Sequence, residues 1–149
     1  MSEITERILS DYARIAVVGL STDPNKAAHS VPAALQAAGF SIQPVHPTAA
    51  EILGVPAVAT LADAPPPIEI VQVFRPAAEA PDIARQAVAA GAKALWLQLG
   101  LVSSEARRIA EEAGIAYVED RCMGVERARF GIRKADPADG DSSGGAPAA

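Results

Sequence analysis

At 149 residues, half of them hydrophobic, the chain suits a single domain with one continuous core and argues against disorder throughout. A net charge of −5 argues against a general nucleic-acid binder, which needs clustered Lys and Arg, although the sum leaves room for a local basic pocket. The single cysteine, Cys122, excludes an internal disulfide framework and any repeated zinc-ligand spacing. "MSEITERILSDY" at the start carries early acids and no apolar core, unlike a secretory signal. No stretch reaches the roughly 18–20 apolar residues that span a bilayer, so a cytoplasmic protein without membrane contact is expected.

In chain order, Ile4, Ile8, Leu9 and Tyr12 recur at helical spacing and predict a short amphipathic helix over 3–12. "RIAVVGL" follows as an apolar strand of the kind buried on both faces of a parallel sheet. "SVPAALQAAGF" reads as a helix with Ser30 as N-cap, Pro32 in the first turn and Gly39 as the stop. "SIQPVHP" is a second strand, interrupted by Pro44 and ended by Pro47. "EILGVPAVATLADAPPP" reads as an excursion: a helical turn, an extended piece near Ala57–Thr60, and a proline-rich link.

"IEIVQVF" is a third strand, "PAAEAPDIARQAVAAG" a helix stopped at Gly91, and "AKALWLQLG" a fourth strand. "SSEARRIAEEAG" is a helix capped by Ser103 or Ser104, with near-neighbour charges on a solvated face, and "IAYVED" is a fifth strand. "ERARFGIRK" then docks on the body, extends a helix or contacts a partner; all three readings stay open.

Strands and helices alternate, and each parallel crossover needs a helix-length connection. The expected fold is therefore α/β: a doubly wound, Rossmann-like parallel sheet of about five strands with helices on both faces. This domain takes in residues 1–134. The remainder, 135–149, "ADPADGDSSGGAPAA" from its first residue, is expected to be a disordered acidic tail.

Ligands of such sheets sit beyond the carboxyl ends of the strands, where strand order reverses. The loop "GLSTDPNKAAHS" belongs there. Gly19 permits the turn and a close ligand approach, and the following helix start favours a phosphate. Lys26 adds a cation, and Ser21 and Ser30 add hydroxyls. Alternatively, Gly19 serves only a tight turn and Lys26 is simply solvated.

Only one glycine stands where the dinucleotide fingerprint carries three, and the second strand ends "QPVHP" without the acid that grips an NAD ribose. Glu51 lies beyond it. An adenine-containing ligand in the same crevice remains open. Later strand ends place Arg75, Gln98 with Gly100, and Asp120 with Arg121 and Cys122 at the same rim. Arg75 fits either a phosphate contact or a surface salt bridge to Glu79. Trp96 and Phe74 read as core.

"VVGLSTDPNK", "PVHP", "VFRP", "LWLQLG" and "DRC", in this order and spacing, resemble the family of small stand-alone CoA-binding proteins. That family is related to the N-terminal CoA-binding domain of the succinyl-CoA synthetase α subunit. The resemblance covers roughly residues 10–130. It implies that Gly19, Leu20, Ser21 and Lys26 hold the phosphates of coenzyme A, free or acylated. It also implies that Pro44, Val45 and His46 line the adenosine side. Val73, Phe74 and Arg75 would border the third strand's edge, and Gln98 and Leu99 would lie near the pantetheine path. His46 departs from the family, which often has Asn there.

The related synthetase needs a phosphorylated histidine in a second domain and an ATP-binding partner subunit. The segment after the fifth strand is too short for such a domain. His29 and His46 read as loop or pocket residues, and no catalytic set or metal site is recognised. Cys122 raises a mixed disulfide with CoA, against burial as a small hydrophobe. Three functions follow: a non-enzymatic CoA-binding module, an enzyme using NAD(P) or an adenine nucleotide, or an interaction subunit with a vestigial pocket. A homodimer is compatible with the sequence, and no stretch marks its interface.

Overall fold

The computed structural model describes residues 3–135. Its elements are α1 (Ile4–Asp11), β1 (Arg14–Val18), α2 (Ala27–Ala37), β2 (Ser41–Val45), β3 (Glu51–Ile52) and β4 (Val55–Pro56). There follow β5 (Ile70–Val73), α3 (Ala80–Ala89), β6 (Ala94–Leu97), α4 (Ser104–Glu112), β7 (Ala116–Val118) and α5 (Met123–Arg129). Of the expected tail, 136–149 lies outside the described residues.

Five strands form one parallel sheet in the order β2-β1-β5-β6-β7, as the alternation of elements predicts. From β1 the chain first adds β2 on one side and then crosses back to add β5, β6 and β7 on the other. The order of strands therefore reverses at the gap between β1 and β5, the topological switch point. Side chains alternate across the sheet. Ile15, Val17, Ile70, Ala94 and Trp96 face one way and pack with Leu9 of α1, Leu35 of α2 and Met123 of α5. Ala16, Val71, Val73, Leu95 and Leu97 face the other way, onto Ile83 and Ala87 of α3 and Ala106 and Ala110 of α4. Both layers are dry, so β1, β5 and β6 read as continuous apolar runs because neither face meets water.

Three local expectations are corrected. The second helix begins at Ala27 with Lys26 at its N-cap, so Ser30 is an exposed residue within the helix and does not cap it. Pro32 sits beyond the first turn, inside the helix. Proline has no N–H to give the carbonyl four residues earlier. That carbonyl, of Ala28, instead accepts the Ser21 N–H at 3.0 Å, which folds the preceding loop against the helix. The predicted helical turn after β2 is instead a hairpin of β3 and β4. Its two turn residues, Leu53 and Gly54, have φ of 56° and 75°, the left-handed pair that a tight hairpin demands.

Gln43 fastens this hairpin, donating from Nε2 to the carbonyl of Pro56 at 3.1 Å. The crossover from β2 to β5 thus carries a hairpin and a 3₁₀ turn at Leu61–Asp63 in place of an α-helix. Ser103, rather than Ser104, caps α4, its hydroxyl accepting the Ala106 N–H at 3.1 Å. The basic segment after β7 both forms α5 and docks on the body. Lys134 donates its backbone N–H to Ala38 and its Nζ to the Ser10 carbonyl, each at 2.8 Å. Among the described residues no helix is long and apolar enough to cross a membrane.

Candidate functional site

A crevice of about 850 Å³ opens at the carboxyl ends of β1, β2 and β5, on the switch point. One wall is the loop from Gly19 to Lys26 and the start of α2. The floor is Val18, Val45 and Phe74. The far wall comes from Thr60 and Leu61, which open the 3₁₀ turn, and from Glu79 at the N-cap of α3 with Asp82 and Gln86 along that helix.

The loop is built by its own polar groups. Ser21 Oγ accepts the Asp23 N–H and Asp23 Oδ1 accepts the Asn25 N–H, both at 3.0 Å. These are the short side-chain turns that Ser and Asp favour. His29 Nδ1 lies 2.7 Å from the Ser21 carbonyl, and a carbonyl only accepts, so that ring nitrogen carries the proton. Lys26, at the N-cap of α2, makes no side-chain cap. The first turn of α2 therefore presents backbone N–H groups and the positive end of the helix dipole to the crevice, beside the Lys26 ammonium.

Gly19 has a φ of +91° and forms the bottom of the loop. A Cβ there would stand 3.0 Å from Arg75 Cδ and 3.3 Å from the Phe74 carbonyl carbon. The Arg75 stem thus occupies the space that glycine leaves. The Arg75 guanidinium donates to Glu79 through Nε at 3.1 Å and Nη2 at 2.7 Å. These bonds and the Glu79 charge push Arg75 above its ordinary pKa, and they hold the Glu79 carboxyl below its own.

At the end of β2, His46 Nδ1 accepts the N–H groups of Thr48 and Ala49, at 3.1 and 2.9 Å. Its proton therefore sits on Nε2, the opposite tautomer from His29.

Of the residues singled out from the sequence, Gly19, Leu20, Ser21, Lys26, Val45, His46, Phe74 and Arg75 all line this one crevice. The others lie elsewhere. Pro44 is buried in β2, its carbonyl accepting the Val58 N–H, and Val73 is buried in the α3 layer. Ser30 is exposed on α2.

Gln98 is turned into the protein. Its Oε1 accepts the Met123 N–H at 2.7 Å and Gln72 Nε2 at 3.2 Å. Leu99 is exposed on the rim past β6. Cys122 is half-buried at the N-cap of α5, so it is not the enclosed small hydrophobe that its residue type suggests. Trp96 is core, as expected, and Phe74 is half-buried in the crevice floor.

The far wall was not read from the sequence. Thr60 and Leu61 lie in the irregular crossover, Glu79 was named only as a salt-bridge partner for Arg75, and Asp82 was not singled out. The available signal was position: α3 is the next helix after β5, joined through the 3₁₀ turn Ala77–Glu79, so its first turn stands at the same rim as Arg75.

Comparison with known proteins agrees with this architecture. A Bacillus subtilis protein, the uncharacterized YneT, is 43% identical over 127 residues, covering 85% of this chain and 93% of that one. A solved structure from Thermus thermophilus superposes with a TM-score of 0.80 at 38% identity, covering 84% of this chain and 95% of the other. The dinucleotide-forming acetyl-coenzyme A synthetase of Ca. Korarchaeum cryptofilum shares the fold, with a TM-score of 0.65 at 23% identity. That match takes in 77% of this chain and 27% of the synthetase chain. Residues 13–128 match the family described as CoA binding domain, and with most of the folded chain inside that match, the protein belongs to this CoA-binding domain family.

Proposed function

We propose that the crevice binds coenzyme A, free or as a thioester, and that the protein holds this ligand without transforming it. The observation that carries the reading is the meeting, at the switch point, of an uncapped α2 N-terminus with Lys26 and Arg75. Backbone N–H groups and a helix dipole suit a diphosphate, and the two cations supply charge-assisted contacts. The crevice volume of about 850 Å³ fits a nucleotide-sized ligand. The apolar floor of Val18, Val45 and Phe74 offers a surface for an adenosine moiety, with His46 Nε2–H as a donor at its edge.

The absence of an acid at the end of β2 weighs against an NAD enzyme. Glu51 stands on β3, outside the residues lining the crevice. The one histidine among the residues lining the crevice, His46, has Nδ1 committed to two backbone bonds, which leaves its ring no free acceptor to serve as a general base.

Thermal melting with CoA, acetyl-CoA, NAD(P)H and ADP tests the reading. A ligand bound only by the native state stabilises it by about 2.7 kcal/mol at a hundredfold excess over Kd. CoA or its thioester is expected to raise Tm. Lys26→Ala and Arg75→Ala are each expected to weaken CoA about tenfold in calorimetry while the fold persists. A Tm shift with NAD(P)H but not CoA would overturn the proposal in favour of a nicotinamide enzyme. No shift with any ligand would favour an interaction subunit.

A further inference from the structure

The crevice carries its own acid against its own base. Glu79 binds Arg75 through two hydrogen bonds, at 3.1 and 2.7 Å, and both residues line the same cavity. The pair is solvent-accessible, but it stands at the crevice itself. The Arg75 stem lies along the Gly19 turn, within 3.0 Å of where a Cβ would be, so its guanidinium is aimed from the phosphate loop toward α3. Glu79 stands at the N-cap of α3 with no side-chain cap of its own to make, which leaves its carboxylate free for Arg75. The second acid of that wall, Asp82, is engaged by Gln86 Nε2 at 2.8 Å. Lys26, on the opposite wall, has no salt-bridge partner among the described residues.

The two cations are therefore in different states. Lys26 is ready to meet an anion on arrival. Arg75 already holds a carboxylate in the fork geometry that it would use for a phosphate.

We propose that Glu79 is a specificity-determining competitor: it occupies Arg75 in the ligand-free crevice and is displaced when a phosphate of the bound nucleotide takes over the guanidinium. The inference rests on reading the crevice as a CoA site, and it names how that site selects. A ligand group must out-compete a carboxylate at Arg75. A phosphate ester, with more charge and more acceptor oxygens, does so, and a neutral or singly charged group does not. Both partners are about half exposed, so the exchange needs only side-chain rotation and no opening of the fold.

The test is calorimetric titration with CoA at low salt, applied to the wild type, to Glu79→Gln, Arg75→Ala and Lys26→Ala, and to Glu79→Gln combined with each of the other two. Glu79→Gln is expected to bind CoA about two- to fivefold more tightly, the scale of an exposed ion pair released from competition. That gain is expected to vanish in the Arg75→Ala background and to persist in Lys26→Ala. A gain that persists without Arg75 would mean general repulsion by Glu79 and would overturn the proposal. So would a Glu79→Gln variant that binds CoA no better than wild type while keeping its Tm; either result leaves the CoA reading standing. If neither wild type nor Glu79→Gln binds CoA, the reading of the crevice fails and this inference fails with it.

Discussion

His29 holds Ser21: the imidazole Nδ1 of the first donates to the carbonyl of the second at 2.7 Å, and the Ser21 N–H returns to Ala28 at 3.0 Å. Together they clamp the Gly19–Lys26 loop onto the first turn of α2, the second bond falling on the carbonyl that Pro32 leaves without a helical partner. His29 does not line the crevice, so its effect on a ligand passes through loop position. His29→Ala is expected to weaken CoA binding a few-fold and to lower stability by about 1 kcal/mol, the scale of one lost hydrogen bond. Nitrogen-15 NMR checks the underlying geometry: His29 is expected to be protonated at Nδ1 and His46 at Nε2. Equal tautomers at both rings would contradict it.

Gly19 is required twice, by its backbone and by its neighbour. At a φ of +91° an L-side chain is strained, and a methyl group would press on Arg75 Cδ at 3.0 Å. Gly19→Ala is expected to cost about 1–3 kcal/mol in urea unfolding and to push Arg75 from its place, weakening CoA as well. Unchanged stability and affinity in this variant would show that the turn relaxes freely.

Away from the crevice, Glu119 ties β7 to the start of α4. Burial works to raise its carboxyl pKa, but hydrogen bonds from Tyr117, the Ser103 N–H and Arg107 outweigh that and hold it below the ordinary value. Tyr117 is raised in turn, first by burial and then by its bond to Glu119. A lowered folded carboxyl stabilises the fold above its ordinary value of 4.5, and that contribution is lost as pH falls through the lower folded value. Glu119→Gln is expected to lower stability by about 1–2 kcal/mol at pH 7, with the gap to wild type closing in acid. Chemical denaturation across pH 3–7 checks this expected narrowing, and a gap independent of pH would refute it.

The alternation of elements was legible because it is written locally. Apolar runs such as "IEIVQVF" have the length and residue types of strands buried on both faces, and Gly39 and Gly91 mark helix ends through a conformation that other residues avoid. Parallel strands that begin at one rim must end at the other. Residues after β1, β2 and β5 therefore had to gather on one edge, which is why Gly19, Lys26, His46 and Arg75 could be named together.

Where a side chain points, and what it meets, is not written in spacing. Gln98 follows a strand as Arg75 does, yet it turns inward, because the Met123 N–H and Gln72 wait there unpaired without it. Ser30 looked like a cap until Lys26 and the loop bonds extended α2 by a turn. The β3–β4 hairpin hinges on the left-handed backbone of Leu53 and Gly54 and on Gln43 reaching Pro56, a contact between separate segments. The pairing of Arg75 with Glu79 was foreseeable as an i,i+4 contact; that it lines the same crevice as the Gly19–Lys26 loop was not. Pattern along the chain determined which elements form and which ends carry polar groups. Only packing in three dimensions decided which of those groups share a cavity, because burial and hydrogen-bond satisfaction depend on neighbours far away in sequence.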